Sequence, residues 1–208
     1  YAPALQPYYF FGAIALAFAV AYFVGYWVER LMISHLYKRP LDTLLATWGL
    51  SLIMQQIFRS TFGPKEVTAT LPDWLMGSVQ PFEGVDIPLN GLFIMAMTAV
   101  LTGTIFILLY RSRWGLQVRA TMQNRMMSGA VGINTRKVDR TTFALGCGVA
   151  GVAGAAFTTI GSTGPTSGSL YIVDTFLTVV FGGAQSLIGT IVSAFAIAQT
   201  QSTSEFFM

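Results

Sequence analysis

The sequence predicts an all-α, polytopic integral membrane bundle with a short cytoplasmic helix and a discontinuous or re-entrant helix near its C-terminal end. Three observations predict it. Of 208 residues, 53% are hydrophobic and only 10% charged, against about 25% charged in a soluble domain, and the mean hydropathy is +0.60. Several nearly uncharged runs approach the ~20 residues that a spanning helix needs. Seven of the twelve Lys and Arg residues lie between Arg111 and Arg140, where Asp139 is the single acid.

The elements follow in order. Tyr8 to Val28 carries no charge, ends at Glu29 and Arg30, and has Trp27 and Tyr26 near its edge as interfacial anchors, so it reads as a span. Leu41 to Phe62 is less apolar, with Thr43, Thr47, Ser51, Gln55 and Gln56 along it, and is expected to face protein or a polar passage. Leu89 to Tyr110 is a second strongly apolar span. Thr141 to Ile160 is rich in small residues, with Gly146, Ala150 and Gly154 four apart and Gly151 and Ala155 likewise, the spacing of closely packed membrane helices. After a loop from Gly161 to Ser169, the apolar run Leu170 to Phe181 is too short to cross. Gly182 and Gly183 interrupt it and Leu187 to Ala198 resumes it, the pattern of a broken helix beside a substrate passage.

The basic residues orient these spans. Arg30, Lys38 and Arg39 oppose one acid between residues 29 and 39. Residues 63–90 carry Lys65 against Glu66, Asp73, Glu83 and Asp86, with Pro64, Pro72, Pro81 and Pro88 marking an irregular connection. Counting Lys and Arg places 29–39 and 111–140 in the cytoplasm and 63–90 outside. The whole of 1–208 reads as one membrane domain. Because it starts at Tyr1 and stops in an apolar context at Phe206, Phe207 and Met208, further spans are expected beyond both ends.

Other classes are excluded on chemistry. The net charge of +3 fits nucleic acid only with a basic face and motif support, and here the cations follow membrane topology. Cys147 is the single cysteine and His35 the single histidine, so neither an intramolecular disulfide nor a metal-ligand cluster is expected. No Gly-rich loop ending in Gly-Lys-Ser/Thr is present, so ATP is not expected to bind this chain in the P-loop manner.

Within the basic loop, Leu116, Met122, Met126, Met127 and Val131 fall at mixed helical spacings among Arg119, Gln123, Asn124 and Arg125, and Gly129 and Gly132 end the pattern. A single amphipathic helix is expected, offering apolar and cationic groups to anionic lipid heads or to a cytoplasmic partner. The segment "GLQVRATMQNRMMSGAVGINTRKVDRTTFALGCGVAGVAG" resembles the cytoplasmic loop and following helix of ABC-transporter permeases of the branched-chain amino-acid and urea uptake family. "LATWGLSLIMQQ", "GPTSGSLYIVDTFLTVVFGG" and "GTIVSAFAIAQTQSTSE" resemble the urea branch, and the first of its two permease subunits, more closely. The resemblance runs from about Arg39 to the end. It implies an ATPase-coupling element carried by Arg119, Ala120, Asn124, Gly132, Ile133 and Asn134. It also implies a second homologous permease, two cytoplasmic ATPases that use ATP and Mg, an external or periplasmic solute-binding protein, and a place in the bacterial inner membrane. This chain would bind no cofactor and catalyse no reaction. Where the family has a third glycine, "GGAQS" has Gln185, which either relieves the backbone of an unusual conformation or re-lines the passage.

For a small planar amide such as urea, paired donors and acceptors are needed, and Gln55, Gln56, Thr47, Thr178 and Gln185 supply them; each also serves simple interhelical hydrogen bonding. Trp48 could stack on a planar solute or merely pack. Asp174 is either a solute contact inside an apolar run or a helix cap at the outer water boundary. With Gly182 and Gly183 these residues make the expected pathway. The function expected is urea import by alternating access. A permease for branched-chain amino acids or short amides, and a passive urea or amide channel, are the alternatives.

Overall fold

The computed structural model describes residues 6–37, 40–68, 77–82 and 85–207. Lys38, Arg39, Pro72, Asp73 and Glu83, used above to orient the chain, lie outside the described residues. The chain divides into two compact units, Tyr1–Gly164 and Pro165–Met208.

In the first unit, α1 covers Gln6–Val28 and does not stop at the Glu29 and Arg30 charges. It runs on through a π-helical turn, Glu29–Ile33, into a short α2, Ser34–Leu36. Pro40 opens α3, Pro40–Phe62, at a position where its missing N–H costs nothing. Gly63, at φ +91°, ends α3 and donates its N–H to the Arg59 carbonyl at 3.1 Å, the left-handed stop that glycine permits. The chain is helical apart from one short ribbon among the described residues of the 63–90 connection. Strands β1 (Ser78–Phe82) and β2 (Val85–Pro88) pair antiparallel, Ser78 opposite Pro88 and Val79 opposite Ile87. Prolines are tolerated there because both strands of a two-stranded ribbon are edges.

Helix α4, Leu89–Arg111, has no buried residue. An apolar helix of 23 residues with no buried position is unsuited to water and suited to lipid or neighbouring helices. Two short helices follow, α5 (Arg113–Gln123) and α6 (Arg125–Ala130), and then α7, Thr135–Phe157. Helix α7 begins six residues before the apolar run, since Asn134 caps it: its Oδ1 accepts from Lys137 N at 3.1 Å. Among the described residues three helical paths are long and apolar enough to cross a membrane, Tyr9–Leu36, Leu89–Arg111 and Thr135–Phe157. The polar α3 is not among them.

The core of this unit is the antiparallel packing of α1 on α7. Ala144, Gly148, Val152 and Ala156 are buried along α7, and Gly148 and Gly151 lie against Phe18, Ala17 and Ala21 of α1. A Cβ on Gly151 would stand 2.6 Å from Ala21 Cβ, and one on Gly25 would stand 2.6 Å from Cys147 Cβ. This corrects the expected stripe. Gly146 and Gly154 have nothing within 4 Å of where a Cβ would lie, and with Ala150 they face outward. Gly151 is the named small residue that packs.

The connections sort to two ends of the unit. At one end Val67 and Thr163 form an antiparallel bridge, with N–H···O distances of 2.9 and 3.0 Å, and Ser162 Oγ donates to Glu66 at 2.6 Å. At the other, the end of α1 meets the start of α7 through Glu29 and Arg140. The 29–37 and 111–140 connections therefore share one face, and 63–68 and 162–163 share the opposite one.

The second unit comprises α8 (Ser167–Leu170), α9 (Ile172–Gly182) and α10 (Leu187–Phe207). Helices α9 and α10 form an antiparallel hairpin, with Ser193 Oγ donating to the Thr178 carbonyl. Gly183 turns the chain at φ +82°, and Ser186 caps α10 by accepting from Gly189 N at 3.0 Å. The helix is interrupted at the two glycines, as expected, and folds straight back.

Candidate functional site

The element between α4 and α7 is built by its caps. Ser112 Oγ accepts from Gly115 N at 2.9 Å to start α5, and Trp114 Nε1 donates to Thr141 Oγ1 at 2.9 Å, tying α5 to α7. The single helix expected between Leu116 and Val131 is broken at Asn124, whose extended backbone (φ −152°, ψ 101°) ends α5 and whose Oδ1 caps α6 from Met127 N at 3.1 Å. An Asn followed by good helix formers supports two helices as readily as one. Gly129 sits inside α6; Gly132, at φ +90°, ends it, and Ile133 N donates to Ser128 O at 3.0 Å.

The motif residues thus shape the element. Asn124 and Asn134 cap helices, Gly132 supplies the left-handed turn, and Ala120 accepts the Asn124 N–H at 3.1 Å. Arg119 lays its guanidinium 4.9 Å from the Tyr110 ring centre, and its buried Nε has no hydrogen-bond partner among the described residues. This scaffold presents apolar and cationic groups together: Leu116, Met122, Met126, Met127 and Val131 are all exposed, Met126 by 87%, and so are Arg113, Arg125, Arg136 and Lys137.

A second constellation, invisible to sequence reading, fastens this element to the bundle. Glu29 is buried, 1% exposed, and its carboxylate accepts from Arg140 Nε at 2.7 Å and from the Tyr37 hydroxyl at 3.3 Å. Arg140 lies over Tyr26 and Arg125 over Tyr37, each 5.3 Å from the ring centre, and Arg125 pairs with Asp139. Tyr37 is 44% exposed, but its hydroxyl end turns in toward two carboxylates. Desolvation, then Asp139 and Glu29, push its pKa up to about 12, so it remains a donor to Glu29 at neutral pH. Removing one member of a buried ion pair costs roughly 3–5 kcal/mol. The only hint in the sequence is an acid at the end of an apolar run, and its partner lies 111 residues away.

The expected pathway residues are divided between the two units, Thr47, Trp48, Gln55 and Gln56 in the first and Asp174, Thr178, Gly182, Gly183 and Gln185 in the second. Thr47 borders an almost wholly apolar cleft of about 540 Å³ between α1, α3 and α7, and its hydroxyl is spent on its own helix, bonding Thr43 O at 2.9 Å. Gln55 donates to Ser51 Oγ at 3.2 Å, whereas Trp48 and Gln56 are exposed. In the second unit, Asp174 is the third residue of α9 and lines a cleft of about 480 Å³ with Phe181, Ser193, Ile197, Thr200 and Gln201. Thr178 Oγ1 returns to Asp174 O at 2.7 Å.

Gly182 is a contact point between backbones. A Cβ there would stand 2.5 Å from Thr190 Cα and N, and one on Gly189 would stand 2.0 Å from Gly182 O. Gly183 forms the turn, and Gln185 is exposed within it. Among the described residues no group of three His, Cys, Asp or Glu side chains could hold a metal ion.

Apolar helices of spanning length, a capped basic element on one face and a glycine-hinged hairpin define a polytopic helical membrane protein. The chain belongs to the family described as branched-chain amino acid transport system / permease component, whose model matches residues 2–208. It is 28% identical over 207 residues to the high-affinity branched-chain amino acid transport system permease protein LivH of Salmonella typhimurium, covering 96% of this chain and 65% of that protein. It is 28% identical over 184 residues to the probable LivH of Methanocaldococcus jannaschii (87% of this chain, 54% of the relative). It is 26% identical over 181 residues to BraD of Pseudomonas aeruginosa (85% and 59%). The chain spans under two thirds of the length of these relatives. No solved structure matches. Urea, the solute expected from motif resemblance, is not what these relatives are named for; their names give branched-chain amino acids.

Proposed function

We propose that the chain is the membrane-embedded part of a permease subunit that imports branched-chain amino acids across the bacterial inner membrane by alternating access, driven by ATP and Mg on two separate ATPases. A second homologous permease and an external solute-binding protein complete the assembly. The observation that carries this reading is the family match across residues 2–208. The face shared by residues 29–37 and 111–140 is the cytoplasmic one, because it gathers most of the Lys and Arg. Helices α5 and α6, with Met126, Met127 and Val131 exposed, are the socket for an ATPase; exposed Met is adaptable contact surface. Asn124, Gly132, Ile133 and Asn134 set its shape, and Arg119 and Ala120 support it.

The α9–α10 hairpin borders the passage as a re-entrant element. Its 11-residue α9 is about 16 Å long at 1.5 Å per residue, against a hydrocarbon core of about 30 Å. One observation supports urea or another neutral amide as a second reading. The cleft beside Asp174 offers hydroxyls and the Gln201 amide, and no cation is among its lining residues to receive a solute carboxylate. Uptake of labelled leucine by cells carrying the assembled system, competed with isoleucine, urea and acetamide, separates the two. Suppression by isoleucine alone supports the amino-acid reading. Labelled urea uptake with no leucine uptake would replace it.

A further inference from the structure

We infer that Tyr37 is a positioning residue: with the buried Glu29 and Arg140 pair it forms a latch that ties α6 to the ends of α1 and α7, passing displacement of the cytoplasmic element to two spanning helices. The inference rests on reading the chain as a motor-driven permease.

The geometry is a closed circuit of side chains. Glu29 accepts from Arg140 at 2.7 Å and from Tyr37 at 3.3 Å; Tyr37 carries Arg125 on its ring at 5.3 Å; Arg125 pairs with Asp139, which precedes Arg140 in α7. Three elements meet there, namely the π-turn after α1, the first residue of α6 and the first turns of α7. Packing does not require this. Below it, α1 and α7 are joined by small residues in direct contact. Glu29 is 1% exposed, and burying a carboxylate is costly unless it is paired and hydrogen-bonded as it is here. The π-turn itself is a local irregularity of the kind often found at functional positions.

The circuit is also how α6 is held. Met126 and Met127, next to Arg125, are 87% and 64% exposed, and Ser128 is the one buried residue described in α6. Arg125 is thus the side chain of α6 that bonds the bundle, beside the buried Ser128. Beside it lies a cleft of about 370 Å³ lined by Tyr37, Val118, Met122, Arg125, Asp139 and Phe143. The joint is thus not close-packed, and α6 has room to shift while Tyr37 keeps both contacts.

The test measures solute transported per ATP hydrolysed by the assembled transporter in proteoliposomes, normalised to inserted subunit. Tyr37→Leu removes both contacts of the joint, and Arg125→Gln removes the link from the α6 side. Each is expected to lower the ratio by about fivefold or more, the smallest typical coupling between sites, while ATP hydrolysis continues. The exchange Glu29→Arg with Arg140→Glu is expected to restore part of the ratio lost by either single change. Should Glu29→Arg or Arg140→Glu fail to insert, Tyr37→Leu and Arg125→Gln, at the cytoplasmic end of the bundle, carry the test. A purely structural role would lower transport and hydrolysis together; an unchanged ratio in both variants overturns the latch. A wild-type transporter whose transport does not depend on hydrolysis would overturn the motor-driven reading, and the latch with it.

Discussion

Replacing Gly151 with alanine is expected to separate α1 from α7. The added Cβ would stand 2.6 Å from Ala21 Cβ and 2.7 Å from the Ala17 carbonyl oxygen, about 1 Å inside the 3.5–4.0 Å at which carbon atoms make favourable contact. Neither neighbour can rotate away, because one is a methyl on a helix and the other is helix backbone. Overpacking of this kind costs roughly 1–3 kcal/mol, or about five- to 150-fold in the folding equilibrium. Gly146→Ala and Gly154→Ala are the internal controls, since a Cβ at either meets nothing within 4 Å, and changes of about 0.5 kcal/mol or less are expected. Reversible unfolding by SDS in mixed micelles, followed by circular dichroism and Trp fluorescence, reads all three. Wild-type stability for Gly151→Ala beside a loss above about 1 kcal/mol for Gly146→Ala or Gly154→Ala would show that the other face of α7 packs on α1.

Three further outcomes are expected. Gly132→Ala puts a side chain at φ +90°, straining the turn by roughly 1–3 kcal/mol; faster amide exchange across residues 125–134 and reduced solute-stimulated ATP hydrolysis should accompany it, and unchanged exchange would discount the strain. Gly182→Ala presses a methyl against Thr190 backbone at 2.5 Å, so a cysteine pair placed at Thr178 and Ser193 should cross-link less than in the parent; equal cross-linking would mean the hairpin can absorb a side chain. Asp174→Asn keeps the shape of the α9–α10 cleft and removes its charge, so uptake should fall with thermal stability held. Lower stability with normal uptake would make Asp174 a helix-terminal residue alone.

The long apolar helices were legible within a few residues because composition over a wide window is a one-dimensional property. Tyr8 to Val28 and Leu89 to Tyr110 match α1 and α4 closely, and the Gly182 and Gly183 interruption lies where α9 ends. Charges misled the boundaries: helices continue through Glu29 and start before Arg140, since both side chains are satisfied by each other across 111 residues. The choice of packed face on α7 was equally out of reach, because Gly146, Ala150 and Gly154 repeat as regularly as the residues that do touch α1. Asn124, which the motif singles out in the sequence, breaks and caps helices in the structure. The polar pathway was the least legible part. A Thr or Gln side chain can bond its own helix, as Thr47 and Gln55 do, and sequence contains no signal that separates this from solute contact.

The most direct test of the account is the nucleotide dependence of transport. The assembled transporter, reconstituted into liposomes loaded with MgATP, should accumulate labelled leucine against its gradient, and replacement of ATP by a non-hydrolysable analogue should abolish accumulation. Solute entry at the same rate without hydrolysable nucleotide would contradict a motor-coupled permease and leave a passive channel in its place.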